Sequence, residues 1–145
     1  MNKEYDCLRL DNQLCFPLYA VARKITAKYT PYFKELDITY TQYIVLMVLW
    51  ENEDKETSVG ELCRRLYLDS GTLTPLLKKM EDKNLLIRKR SKEDERSVLI
   101  TLTDKGIELK EKCKEIPAKI GQCVNLNQED AESLYRILYL LLEEL

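Results

Sequence analysis

Apolar residues recur at spacings of three and four along most of this chain, and the rhythm restarts at short polar side chains suited to capping helices. From Asn12 to about Tyr29, Leu14, Leu18, Ala22 and Ile25 form one helical stripe. Asp11 or Asn12 is the expected N-cap, because a short side-chain oxygen accepts a bond from an unpaired first-turn amide. A break is expected near Thr30, since the residue before Pro31 disfavours helical geometry. The second helix starts around Thr41 and carries "YIVLMVLW", apolar on nearly all sides, which places it in the core. Ser58 and Glu61 match an S-x-x-E capping box ahead of an apolar face of Val59, Leu62 and Leu66. Asp69 caps the next helix, "SGTLTPLLKKMEDKNL", whose Leu73, Leu76, Leu77 and Met80 face inward. Two helices at this separation form a helix-turn-helix unit.

The period then changes. "LLIRKR" and "RSVLITL" are short, rich in β-branched residues and partly alternating, and the polar "SKEDE" between them makes a turn, so the pair reads as a β-hairpin. A hairpin after a helix-turn-helix is a wing. Thr103 caps a further helix, "DKGIELKEKCKEI", which Pro117 ends or bends. Asn127 caps the last one, where Leu134, Ile137, Leu138, Leu141, Leu142 and Leu145 spread over more than a single stripe needs, the mark of a partner-facing surface. The pattern as a whole describes a mainly α protein with a small β-hairpin wing. It is read as a single domain over 1–145, with a winged helix-turn-helix over about 38–102 between dimerisation helices at about 12–37 and 103–145.

Composition narrows the chemistry. The 145 residues are 45% apolar and 33% charged, as in a folded domain, and the longest apolar run is far shorter than the ~20 residues of a membrane span. No secretory signal pattern opens the chain, so a cytoplasmic location and no membrane partner are expected. The chain has no histidine and its five cysteines form no CxxC pair, which excludes the common zinc spacings and every histidine-based triad; no metal or cofactor is implied. The formal charge is −2, yet Lys78 to Arg96 holds eight basic residues against five acidic ones, a local net of +3. Positive charge gathered on the second helix and the wing suits a duplex backbone. Ser70, Thr72 and Thr74 add hydroxyls on the side of that helix not taken by leucines, for phosphates or base edges. The same hydroxyls also suit capping and turn formation.

The segment from Leu66 to Gly106, "LYLDSGTLTPLLKKMEDKNLLIRKRSKEDERSVLITLTDKG", resembles the core of the MarR family of dimeric winged-helix repressors, with a D-x-R wing signature at Asp94 and Arg96. "LDNQLCFPLYA", from Leu10 to Ala20, together with "YTQY" at Tyr40 to Tyr43, is similar to the organic hydroperoxide resistance regulators within that family. The resemblance implies a homodimeric repressor on a pseudo-palindromic double-stranded operator, released when an organic hydroperoxide oxidises Cys15. It implies that Tyr29 and Tyr40 reach the sulfur from the other subunit, with Tyr19 nearby, and that the oxidised thiol is resolved by Cys123 or else Cys113 of the opposite subunit, or by a small-molecule thiol. It implies DNA contacts from Ser70, Thr72, Thr74, Lys78, Arg88, Arg90 and Arg96, with Asp94 buttressing the arginine. Two other readings of the same residues are a MarR-type regulator gated by a small phenolic ligand and a thiol peroxidase. The second is set aside because no arginine is positioned beside Cys15 and the most specific sequence belongs to a DNA-binding unit, so no enzymatic activity is expected.

With Asn12 as cap, Cys15 is the third helical residue, among amides that favour a thiolate, and thiolate character governs attack on a peroxide. Phe16, Leu18 and Tyr19 beside it suit a hydrophobic peroxide. Pro17 would then be the fifth helical residue, so a local distortion or a late helix start is expected there.

Overall fold

Helix α1 (Cys15–Leu36) begins and ends elsewhere than its apolar stripe predicts. In the computed structural model, which describes residues 3–145, two 3₁₀ turns (Lys3–Leu8 and Leu10–Asn12) precede it. Neither Asp11 nor Asn12 caps it: the Asn12 amide donates to the Asp6 carbonyl at 2.7 Å, and Leu14 occupies the N-cap without a side-chain bond. Cys15 is thus the first helical residue, not the third. Pro17 becomes the third, where its missing amide is one of those a helix leaves unpaired in any case. The late start expected from Pro17 is what the backbone shows.

The break expected at Thr30 is absent. α1 runs through Pro31 to Asp37, whose left-handed backbone (φ 53°) closes the helix as Ile38 N donates back to Phe33 O at 3.0 Å. An interior proline costs about 3 kcal/mol or more. Packing on both sides of it offsets that cost. Tyr29 stacks on Phe33 at 5.2 Å and Phe33, buried, lies 4.9 Å from the Tyr43 ring.

The remaining helices follow their caps. α2 (Tyr40–Trp50) opens on a reciprocal box, Thr39 Oγ1 accepting from Gln42 N at 3.2 Å and Gln42 Oε1 from Thr39 N at 3.1 Å, one residue ahead of the expected Thr41. Ser58 caps α3 (Val59–Leu66), Asp69 caps α4 (Ser70–Asp82), and Thr103 caps α5 (Asp104–Cys113), each accepting from the amide three residues on. Between α4 and α5 lies the hairpin of β2 (Leu86–Arg90) and β3 (Val98–Leu102), antiparallel with Arg88 opposite Ile100. A two-residue strand β1 (Thr57–Ser58), which the alternation pattern is too short to reveal, pairs with the free edge of β3 and gives the order β1-β3-β2.

The chain divides into two compact units, one running to Lys114 and the other spanning Glu115–Leu145. In the first, Val45, Leu46, Leu49, Leu62, Leu73, Leu77, Met80, Leu85, Leu86 and Ile100 are fully buried. Trp50 Nε1 donates to Gly106 O at 2.9 Å, and a Cβ on Gly106 would stand 2.1 Å from Leu85 O, so the start of α5 touches the backbone leading into β2. In the second unit, Pro117 does not end α5 but sits in the first turn of a separate helix, α6 (Ile116–Gly121), where a proline needs no donor. α7 (Gln128–Glu144) is capped by Asn127 and buries none of its residues; Leu134, Ile137, Leu138 and Leu142 are all exposed.

Gly106→Ala is expected to lower the urea midpoint and Tm by the 1–3 kcal/mol or more typical of overpacking, since the obstacle is backbone. Unchanged unfolding would refute the close approach. Burial, with smaller contributions from Tyr29, Cys113 and Tyr40, pushes the Tyr43 hydroxyl from its ordinary 10.0 up to about 12, and Tyr29 and Tyr40 move the same way. The unfolded chain releases this proton at lower pH than the folded one, so the stabilisation is complete below pH 10 and is lost as pH rises through about 12. For Tyr43 the loss is on the order of 2–3 kcal/mol. Denaturant titrations at pH 8 to 12 should show the midpoint falling only in this alkaline window.

Candidate nucleic-acid interface and thiol site

The caps and the hairpin together shape a cleft of about 430 Å³ between the start of α3, the outer face of α4 and the wing. Ser70 and Thr74 line it from α4, Arg88 from β2, and Asp94 and Arg96 from the wing turn. Leucines facing the core leave the opposite side of α4 exposed, which is where Thr72 and Lys78 also stand. Thr72 is the most committed of the three hydroxyls: its amide and its Oγ1 both donate to the Asp69 carboxylate at 2.9 Å. Those bonds, backbone first, hold the Asp69 carboxyl below its ordinary range, so the cap stays ionised at neutral pH. A Cβ on Gly71 would come within 3.0 Å of that carboxylate, which ties the glycine to the cap as well as to the exposed helix start.

The basic side chains are not equivalent. Arg88 is engaged by Glu81, whose Oε1 accepts from the Arg88 amide and whose Oε2 accepts from Nε, both at 2.9 Å, with Nη2 also 2.9 Å away. Arg90 Nη1 donates to the Glu95 carbonyl at 3.2 Å. Asp94 acts on Arg96 through the main chain, its Oδ1 accepting from the Arg96 amide at 3.0 Å while its carbonyl accepts from Ser97 N at 2.9 Å. Among the described residues the Arg96 guanidinium has no ion-pair partner. Asp94 therefore shapes the turn and leaves the arginine's charge open to an anion.

Sequence reasoning passed over Glu81, because a helix-end glutamate seven residues before a strand arginine follows no single-element period. Ser58 was legible only as a cap, and Gly60 and Ser97 not at all, because they reach the cleft through β1, the first turn of α3 and the wing turn.

Cys15 is exposed at the start of α1, with exposed Leu14, Phe16, Leu18 and Tyr19 around it. Tyr19 lies one turn further on and carries Arg23 over its ring at 5.4 Å. Tyr29 and Tyr40 meet edge to face at 5.0 Å. Fourteen residues of helix separate Cys15 from Tyr29, about 21 Å along the axis, so one chain does not bring them together. Raised by burial, both hydroxyls are protonated donors at neutral pH. The two resolving candidates differ in access. Cys113 is 2% exposed and burial pushes its thiol up from 9.0, whereas Cys123 is exposed between α6 and α7. Cys63 is half-buried and Cys7 exposed.

Residues 27–113 match the family described as transcriptional regulator SarA/Rot. The organic hydroperoxide resistance transcriptional regulator of Bacillus subtilis (strain 168) is 50% identical over 145 residues, covering 100% of this chain and 97% of its own. Among solved structures, reduced AbfR bound to DNA has a TM-score of 0.78 and 35% identity over 99% of both chains; AbfR is a Staphylococcus epidermidis protein. AbfR with its disulfide formed has a TM-score of 0.65 and 35% identity, over 96% of both chains. The transcription regulator MarR of Oenococcus oeni PSU-1 has a TM-score of 0.71 and 29% identity, over 90% of this chain and 99% of that one.

Brief alkylation of the reduced native protein at pH 8 should label Cys7, Cys15 and Cys123 before Cys113, because a buried thiol with a raised pKa holds little thiolate. Peptide mass mapping after timed quenching checks the order. Early labelling of Cys113 would contradict its burial.

Proposed function

Because this chain belongs to the SarA/Rot and MarR family of winged-helix transcriptional regulators, in the organic hydroperoxide branch, we propose that it represses transcription as a homodimer whose DNA affinity falls when Cys15 is oxidised. The exposed apolar residues of α7 and of the first half of α1 supply the dimer contacts. Each protomer lays α4 in a major groove and its wing beside it, so that two half-sites one helical turn apart make a pseudo-palindrome. Ser70, Thr74, Lys78, Arg88 and Arg96 meet the duplex directly; Thr72 and Asp94 act by holding the helix start and the wing turn. Arg90 adds charge at the wing.

The single observation that carries the sensing half is Cys15 itself, exposed at the first position of a helix that no side chain caps. The first-turn amides there are taken up by no side-chain cap. The thiolate attacks one oxygen of a hydroperoxide, the O–O bond breaks, and the alcohol leaves with a proton taken up from solvent, giving a sulfenic acid. Apolar Leu14, Phe16 and Leu18 favour an organic peroxide over hydrogen peroxide. Tyr29 and Tyr40 of the partner subunit donate to the sulfur, a reading carried over from the family resemblance and supported by the length of α1 between Cys15 and Tyr29 in one chain. The thiol of Cys123 of the partner subunit then displaces hydroxide from the sulfenic sulfur, which leaves as water, and a disulfide forms between Cys15 and Cys123 of the partner subunit. Cys123 is preferred to Cys113 because it is reachable. Oxidation is a single event per chain and not a turnover, so the protein is a sensor and no enzyme.

Fluorescence anisotropy on a duplex selected from a randomised pool by the reduced protein tests this reading. Cumene hydroperoxide added at one equivalent per chain should release wild-type protein and Cys123→Ser should be oxidised without forming the disulfide peptide. Cys15→Ser should stay bound throughout. Release of the Cys15→Ser protein by peroxide would remove Cys15 from the mechanism.

A further inference from the structure

Glu81, next to last in α4, and Arg88, on β2, form the most fully engaged ion pair of the winged unit. One carboxylate oxygen accepts from the Arg88 main chain and the other takes the Nε–Nη2 edge of its guanidinium, all at 2.9 Å. Both side chains are about one-third exposed or less, 34% for Glu81 and 27% for Arg88. Arg88 lines the cleft beside Ser70, Thr74 and Arg96; Glu81 does not, so the carboxylate stands behind the arginine. Five N–H groups make up a guanidinium, and this side-on grip uses the Nε edge. The Nη1–Nη2 end is left as a fork for paired acceptors, as on guanine. An ion pair with this exposure adds little to folding.

We propose that Glu81 is a positioning residue for operator selection: it aims the free end of Arg88 into the cleft and cancels its charge, so that Arg88 contributes direction to the specific complex and little attraction to arbitrary DNA. The inference rests on the DNA-binding reading above and adds a residue to it. Wing and recognition helix are fixed to each other by the same carboxylate, since it holds the β2 main chain as well as the guanidinium. Removing its charge frees Arg88 to neutralise any phosphate within reach.

The test compares the selected duplex with a scrambled duplex of the same composition, over a salt series, using reduced wild-type, Glu81→Gln, Arg88→Ala and doubly substituted protein. Glu81→Gln should bind the scrambled duplex more tightly with a salt slope steeper by about one, and its preference for the selected duplex should fall by about tenfold. In the Arg88→Ala background the same substitution should leave the preference unchanged. Equal slopes and preferences for Glu81→Gln and wild type would overturn the inference, as would a preference lost equally with and without Arg88. Weaker binding to both duplexes with a lowered Tm and an unchanged slope would reduce Glu81 to a structural role. Wild-type protein with no preference between the duplexes would instead sink the DNA-recognition reading on which the inference stands.

Discussion

Helix α2 buries seven of its 11 residues, leaving Thr41 and Met47 exposed, and the first unit is built around that constraint. Val45, Leu46 and Leu49 are fully buried, Tyr43, Val48 and Trp50 nearly so, and α1, α3, α4 and α5 all pack against it. Each large apolar side chain removed from water in this way contributes about 1.5–3 kcal/mol. At one end of α2 an aromatic group of Tyr29, Phe33, Tyr40 and Tyr43 grips the second half of α1. At the other, Trp50 is hydrogen-bonded to the start of α5. The recognition helix α4 receives its orientation from this arrangement, because turning Leu73, Leu77 and Met80 inward leaves Ser70, Thr74 and Lys78 on the outside.

The two ends of α1 serve different purposes. Its start is uncapped by any side chain and carries Cys15 amid exposed apolar residues. Its end is tightly closed, and Lys83, just past α4, donates to the Asp37 carbonyl at 2.5 Å and lies 3.1 Å from its carboxylate. Lys105 in turn donates to the Lys83 carbonyl at 2.8 Å. The helix that begins at the thiol therefore ends in direct contact with the end of the recognition helix.

Local chemistry made much of this legible in advance. Ser58, Asp69, Thr103 and Asn127 cap where they were expected to, since a cap depends on three or four neighbouring residues and on little else. The hairpin was legible for the same reason. Pro31 was not, because the cost of an interior proline is local whereas the aromatic packing that outweighs it comes from α2. Pro117 looked like a terminator of α5, yet the chain had already left α5 at Cys113, and a proline opens a helix as readily as it ends one. Asn12 had the right side chain for a cap and spends it on Asp6.

Sequence by itself determined the helical and hairpin periods, the caps, the inward leucines of α4, the concentration of charge on the wing and the thiol chemistry available to Cys15, because each follows from side chains close together along the chain. Tertiary structure alone decided which of these groups are free to act. It buried Cys113 and left Cys123 exposed, and tied Arg88 to Glu81 while leaving Arg96 open. The reason is that accessibility and pairing depend on which distant segments pack together, and packing around α2 is a property of the whole unit that no local pattern encodes.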